Sequence, residues 1–163
     1  MKNNIESLIN DFTCDDVIKC QTARRNLVDM GSDAVNVLVK ELSNKKHWVR
    51  WEAAKALGQI GDKNAVKALV DALEDNEFDV RWLAAEALVS IGKDSLEPLL
   101  AALVDHGGES LILRQGAHHI LHDMDRGDLD EIVQPVMAAV EDTAPSIEVP
   151  LVAKRALDTL RIR

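Results

Sequence analysis

The sequence predicts an all-α chain in which one helical hairpin is stacked several times, an α-solenoid. Three observations predict it. Residues 49–61, Val-Arg-Trp-Glu-Ala-Ala-Lys-Ala-Leu-Gly-Gln-Ile-Gly, recur 31 residues later as residues 80–92, with nine of thirteen positions identical. A period of that length marks a stacked repeat. Within each copy the apolar residues fall at helical spacing. No segment alternates apolar and polar residues in the manner of a half-buried strand.

The elements follow in order. Ile5, Leu8, Ile9 and Phe12 line one face of a short amphipathic helix, expected to cover the first unit. Ala23, Leu27, Met30 and Gly31 stand 30 residues before Ala53, Leu57, Ile60 and Gly61 and form a weaker copy. A second helix follows Ser32, with Val35, Leu38, Val39 and Leu42. In the first strong copy Val49, Ala53, Ala56, Leu57 and Ile60 make the stripe. Gly61 suits the left-handed residue that ends a helix. Asp62 reads as the N-cap of the next segment, which carries Ala65, Val66, Leu69, Val70 and Leu73. The second strong copy is followed, after Asp94, by Leu96, Leu99, Leu100 and Leu103. Leu113, Arg114, Ala117, Leu121 and Met124 come 33 residues after Val80, Arg81, Ala84, Leu88 and Ile91. Behind Asp128, read as an N-cap, lie Leu129, Ile132, Val133, Val136, Met137 and Val140. The last copy, Val149, Ala153, Leu157 and Leu160, is 36 residues further on. The extra residues fall in Asp105-His106-Gly107-Gly108 and Thr143-Ala144-Pro145-Ser146, both loop-like.

The 163 residues suit one domain spanning 1–163, and 47% apolar content is enough for a sizeable core. Asp and Glu outnumber Lys and Arg by 28 to 19, a net charge of −9. That balance argues against a dedicated nucleic-acid binder, whose footprint is a basic patch. No apolar run reaches membrane-spanning length, and the first residues lack the apolar stretch of a secretion signal. Cys14 and Cys20 are too few for a disulfide scaffold. A cytoplasmic protein with no membrane partner is the expectation.

The pattern Val-Arg-x-x-Ala-Ala-x-Ala-Leu-Gly-x-Ile-Gly at residues 49–61, and its near-copy at 80–92, resembles HEAT-like repeats of the phycobilisome-lyase type. The resemblance implies a right-handed superhelix of about five HEAT-like hairpins. It also implies that the helix carrying Val-Arg-x-x-Ala-Ala lines the concave side. The paired alanines fit, because small residues let neighbouring helices approach closely.

Several motifs have a structural and a chemical reading. Arg50, Arg81 and Arg114 share one repeat position. They read first as seam residues pairing with acids such as Glu41, Asp75, Glu77 or Asp79, and second as a cationic ladder for an acidic partner. His118, His119, His122 and Asp123 form the one cluster in the sequence that could ligate a metal. One helix face supplies only two ligands, so no metal is expected, and a metal-dependent module using His119, His122 and Asp123 stands as a third reading. Deoxyhypusine hydroxylases have similar repeats and bind two irons through His-Glu pairs. The corresponding positions here are Trp51-Glu52, Trp82-Leu83 and Gln115-Gly116, so only Glu52 matches. The cysteines form no Cys-x-x-Cys motif, and there is no phosphate loop or nucleophile elbow. Asp123, Asp125, Asp128 and Asp130 lack the terminal Glu of a calcium loop. No catalytic residue and no cofactor is assigned.

The tryptophans carry the functional expectation. Trp51 and Trp82 occupy the same repeat position, off the core stripe, with Trp48 three residues before Trp51. Trp51, Glu52 and Lys55 are expected to project beside Trp82, Leu83 and Glu86, and those beside Gln115 and His119. Together with Trp48 these residues predict an amphipathic groove that binds a protein or peptide. The alternative is a bilin-lyase-like enzyme or accessory factor, with Trp48, Trp51, Trp82 and His119 around a tetrapyrrole-like ligand. Gly116, aligned with Glu52 and Leu83, is expected to be an exposed helix glycine.

Overall fold

The computed structural model describes residues 2–12 and 16–163, with side chains from Ile5 onward. Cys14 lies outside the described residues. The helices are α1 (Lys2–Asp11), α2 (Val17–Asp29), α3 (Ser32–Glu41), α4 (His47–Ile60), α5 (Val66–Asp71), α6 (Phe78–Ile91), α7 (Leu96–His106), α8 (Leu111–Asp123), α9 (Asp130–Val140) and α10 (Glu148–Ile162). The described residues contain no strand. The described helices pair in chain order as five hairpins, α1–α2, α3–α4, α5–α6, α7–α8 and α9–α10, in line with about five repeat units.

The second helices of the first four hairpins form a row in which α2 packs on α4, α4 on α6 and α6 on α8. Small side chains make the row possible. Ala53, Ala54, Ala56, Ala84, Ala85 and Ala87 are all buried. The closest approach is at Gly58, where a Cβ would lie 3.0 Å from the Ala87 Cβ and 3.1 Å from its Cα. Glycine there costs helix propensity of about 1 kcal/mol and is retained for the space. Gly116 is not the exposed glycine the alignment implied. A Cβ on it would meet the buried Leu73 side chain at 3.2 Å. The two sites differ in what must yield, backbone at Gly58 and a side-chain tip at Gly116. Gly58→Ala is therefore expected to destabilise by about 1–2 kcal/mol net of its propensity gain. Gly116→Ala should stay within about 1 kcal/mol of the parent. Urea melts of both variants check this, and a stabilised Gly58→Ala would refute the seam.

The turns between successive hairpins follow local chemistry. Gly61 is left-handed, at φ 68° and ψ 23°, and its N–H donates to the Leu57 carbonyl. Asp62 then caps the next turn by accepting from the Asn64 N–H. Asp128 does not cap, contrary to its sequence position. It faces Lys93 at 3.0 Å and Arg163 at 3.7 Å, while Asp125 accepts from the Gly127 N–H. Two cations from other elements outcompete the local donors for that carboxylate.

The arginines serve the stack by two routes. Arg50 donates from Nε and Nη2 to both oxygens of Asp75, at 2.6 and 2.9 Å, and from Nη1 to the Asn44 carbonyl. Arg81 instead donates to the carbonyls of Asp75 and Asn76. Arg114 is 1% exposed and donates to the carbonyls of Gly107, Gly108 and Thr143. In the turn that follows each arginine, Thr143 stands to Arg114 much as Asp75 stands to Arg50, so there a carbonyl replaces the carboxylate.

Burial pushes the Asp75 carboxyl up, but Arg50 and the Glu77 N–H outweigh it and hold the group below the usual carboxylate range. Such a group contributes stability above its unfolded pKa and loses it as pH falls through the folded one. On acidification from about pH 5 to about pH 3, Asp75→Asn should therefore lose less melting temperature than the parent. Equal losses would mean that the Arg50–Asp75 contact adds nothing.

The last copy departs from the row. α10 is a helix with Val149, Ala153 and Leu157 buried, but it lies against α7 and α9 instead of extending the row beyond α8. The Gly107-Gly108 turn permits this. A Cβ on Gly107 would come within 2.8 Å of Val149 Cγ1, and the Ser146 N–H donates to the Gly108 carbonyl. Arg161 on α10 reaches Glu97 on α7 at 2.8 Å.

Candidate functional site

The face built by α4, α6 and α8 gathers most of the residues singled out above. Helical periodicity sets three positions per helix: 51, 82 and 115; 52, 83 and 116; 55, 86 and 119. Trp82 is 48% exposed. Its ring lies between Phe78, at 6.3 Å between centroids, and His119, at 4.6 Å. Trp51 is half-buried, with the Lys55 ammonium 4.4 Å above its ring, a cation–π contact. Leu83 is half-buried, and Gln115 is exposed.

Two adjoining clefts result. One, of about 340 Å³, is lined by Leu73, Phe78, Trp82, Ile112, Gln115 and His119 among others. The second, of about 430 Å³, is lined by Trp51, Phe78, Asp79, Trp82 and Leu83. Phe78 and Trp82 wall both. Trp51 and Trp82 thus meet at one cleft, although each ring has its own closer partner.

Glu52 does not project into this face. It is 8% exposed and ion-pairs with Arg24 of α2. The stripe argument turned it outward, but α2 lies against that flank of α4 and supplies the cation. Trp48 lines neither cleft. It is exposed at the start of α4, edge-on to His47 at 5.5 Å and under the Lys46 ammonium. Phe78 and Ile112 are cleft residues that the repeat comparison passed over. The signal for Phe78 was present, because it stands one turn before Trp82 and shares its face.

On the far side of Trp82, His119 Nε2 lies 2.8 Å from Glu86 Oε1, and its Nδ1 lies 3.3 Å from Asp123 Oδ2. Asp123 Oδ1 is 2.6 Å from His122 Nδ1. That hydrogen bond, aided by the other histidines, holds the Asp123 carboxyl below the usual range. His118 is half-buried, 3.6 Å from Glu141, with its ring stacked on His122.

A family model described as HEAT repeats matches residues 6–89 and, in a second alignment, 35–118. The chain belongs to the HEAT-repeat family. Curated proteins compared with the sequence give no match. Among solved structures, this HEAT-repeat chain is similar to one in the complex of CpcE and CpcF of phycocyanin lyase from Nostoc sp. The TM-score is 0.64 and the identity 22%, covering 96% of this chain and 99% of that one. It is also similar to an engineered protein, at TM-score 0.50 and 24% identity, over 98% of this chain and 81% of that one. Both likenesses concern the fold.

Two chemical readings can be placed on the HEAT-repeat frame. At the three positions where His-Glu pairs bind iron in the hydroxylases, Glu52 is held by Arg24, and Leu83 and Gly116 offer no ligand. Cys20 donates to the Asp11 carbonyl at 3.1 Å, a structural contact. No helix among the described residues is long and apolar enough to cross a membrane.

Proposed function

We propose that this HEAT-repeat chain is a non-enzymatic scaffold that binds a protein segment along the α4–α6–α8 face, taken as the concave face. The observation that carries it is the pair Phe78 and Trp82. Both remain substantially exposed, at 68% and 48%, while walling two adjoining clefts. Large aromatic side chains left wet beside pockets suit the anchor points of an interface. Asp79 lines the second cleft and Glu86 lies against His119, beside the cations Arg81 of the first cleft and Lys55 over Trp51, and the whole chain carries −9. The partner class is therefore a cationic segment bearing an apolar anchor, and not a nucleic acid. The phycocyanin-lyase neighbour is itself a complex of two different proteins, which supports a protein partner.

A displayed random-peptide library panned against the immobilised protein tests this. Enriched peptides should combine one aromatic or large aliphatic residue with flanking Lys or Arg, and should fail to bind Trp82→Ala. No enrichment, or equal binding to Trp82→Ala, would overturn the reading. The Trp82–His119 ring pair supports one rival, a tetrapyrrole-like ligand as in bilin lyases. A stoichiometric absorbance shift on bilin titration would favour that rival.

A further inference from the structure

Glu86, His119 and Asp123 stand apart from the apolar clefts in chemistry. Each offers one ligand atom, and the three atoms lie within 4.8 Å of one another. Glu86 comes from α6, while His119 and Asp123 are one turn apart on α8. Two adjacent helices therefore supply what one helix face could not, a third donor. The His-x-x-x-Asp spacing alone gives two ligands, and the packing of α6 on α8 adds the carboxylate.

The hydrogen-bond inventory points the same way. A neutral imidazole has one N–H and one lone pair. Both nitrogens of His119 face carboxylate oxygens, at 2.8 and 3.3 Å, and carboxylates only accept. A neutral ring satisfies only one of them, so the pair of contacts is completed either by a second ring proton or by a metal ion. Two features match the supporting groups of a metal site. Asp123 is held from its other oxygen by His122, and the His119 ring is fixed by the Trp82 ring at 4.6 Å.

We propose that Glu86, His119 and Asp123 bind a divalent transition cation of the zinc class. One imidazole and two carboxylates suit zinc or cobalt better than calcium, which takes oxygen ligands in larger number. Three protein ligands leave a coordination position open, so the ion adds a Lewis-acidic contact point beside Trp82. The equivalent residue one unit earlier is Lys55, so the site belongs to this unit and is not a property of the repeat.

The test uses Trp82 as reporter, in a Trp48→Phe/Trp51→Phe background shown to be folded by circular dichroism. Titration with Co²⁺ should quench the remaining emission saturably at one ion per chain, and Zn²⁺ should reverse the quenching by competition. Glu86→Gln, Asp123→Asn and His119→Asn should each weaken the apparent affinity by about tenfold or more. His47→Ala, remote from the cluster, should leave it unchanged. Absence of saturable quenching overturns the site. So does quenching that survives Glu86→Gln, which would identify a lone surface histidine. None of these readouts requires the peptide partner, so the two proposals fail separately.

Discussion

Arg114→Ala is expected to lower stability by about 3–5 kcal/mol, the largest single-residue effect on folding anticipated here. The guanidinium is 1% exposed and holds three carbonyls on two different loops, Gly107 and Gly108 before α8 and Thr143 before α10. Removing it takes the guanidinium donor from the Gly107 and Thr143 carbonyls, at about 1–3 kcal/mol for a fully buried group, while Gly108 keeps the Ser146 N–H, and it opens a cavity as well. It also removes the tie that holds the α9–α10 loop against the α7–α8 turn. Arg114→Lys should recover little, because one ammonium cannot span acceptors on both sides as a planar fork does. Arg81→Ala is the control. Its acceptors are the Asp75 and Asn76 carbonyls, the second bond is exposed, and the loss should be about 1 kcal/mol or less. Urea unfolding of the three variants distinguishes these cases. An Arg114→Ala curve within about 1 kcal/mol of the parent would show that the buried cation is not a pin.

Trp82→Ala is expected to have the largest effect on recognition. Peptides selected on the parent protein should lose at least about 2 kcal/mol, roughly thirtyfold in affinity. The ring contributes to the walls of both clefts and is braced on two sides by Phe78 and His119, so it is presented in one orientation. Little rotamer entropy is then lost on binding. Trp48→Ala removes an equally large side chain from the same face's edge, yet lines neither cleft, and should change affinity less than about threefold. Titration calorimetry of both variants with one selected peptide separates an anchored groove from a generally sticky surface. Equal losses would assign the binding to hydrophobic area alone.

The helical stack was legible in the sequence because it rests on local pattern. The Val49 and Val80 stripes, the alanine pairs and Gly61 each act within one hairpin or at its seam, and all fall where the period places them. The candidate site was legible in part. Trp51, Trp82, Glu86 and His119 come together because equivalent positions on stacked helices must be neighbours. What escaped depends on contacts between units of unequal spacing. Glu52 is buried because Arg24 reaches it from α2, 28 residues away. Gly116 meets Leu73, and Asp128 meets Lys93 and Arg163. The path of α10 is set by Gly107, which admits Val149, by Gly108, which admits Pro150, and by a buried arginine, and apolar periodicity carries no information about any of them. The Glu86–His119–Asp123 cluster escaped for the same reason, since a ligand search along one helix omits the neighbour's carboxylate.

The burial of Glu52 beside the half-open Trp51 divides inheritance along this face into two regimes. Positions 51, 82 and 115 point to the clefts and take part in no buried ion pair, so mutations there change what the protein greets while sparing how it folds. Position 52, one residue further along, is answerable to Arg24, and variation there is screened by stability before binding is ever tested. A lineage could therefore explore new partners by drift in one column while its neighbour stays fixed. Deep mutational profiles of positions 51 and 52 should differ in kind, permissive for folding at the first and restrictive at the second.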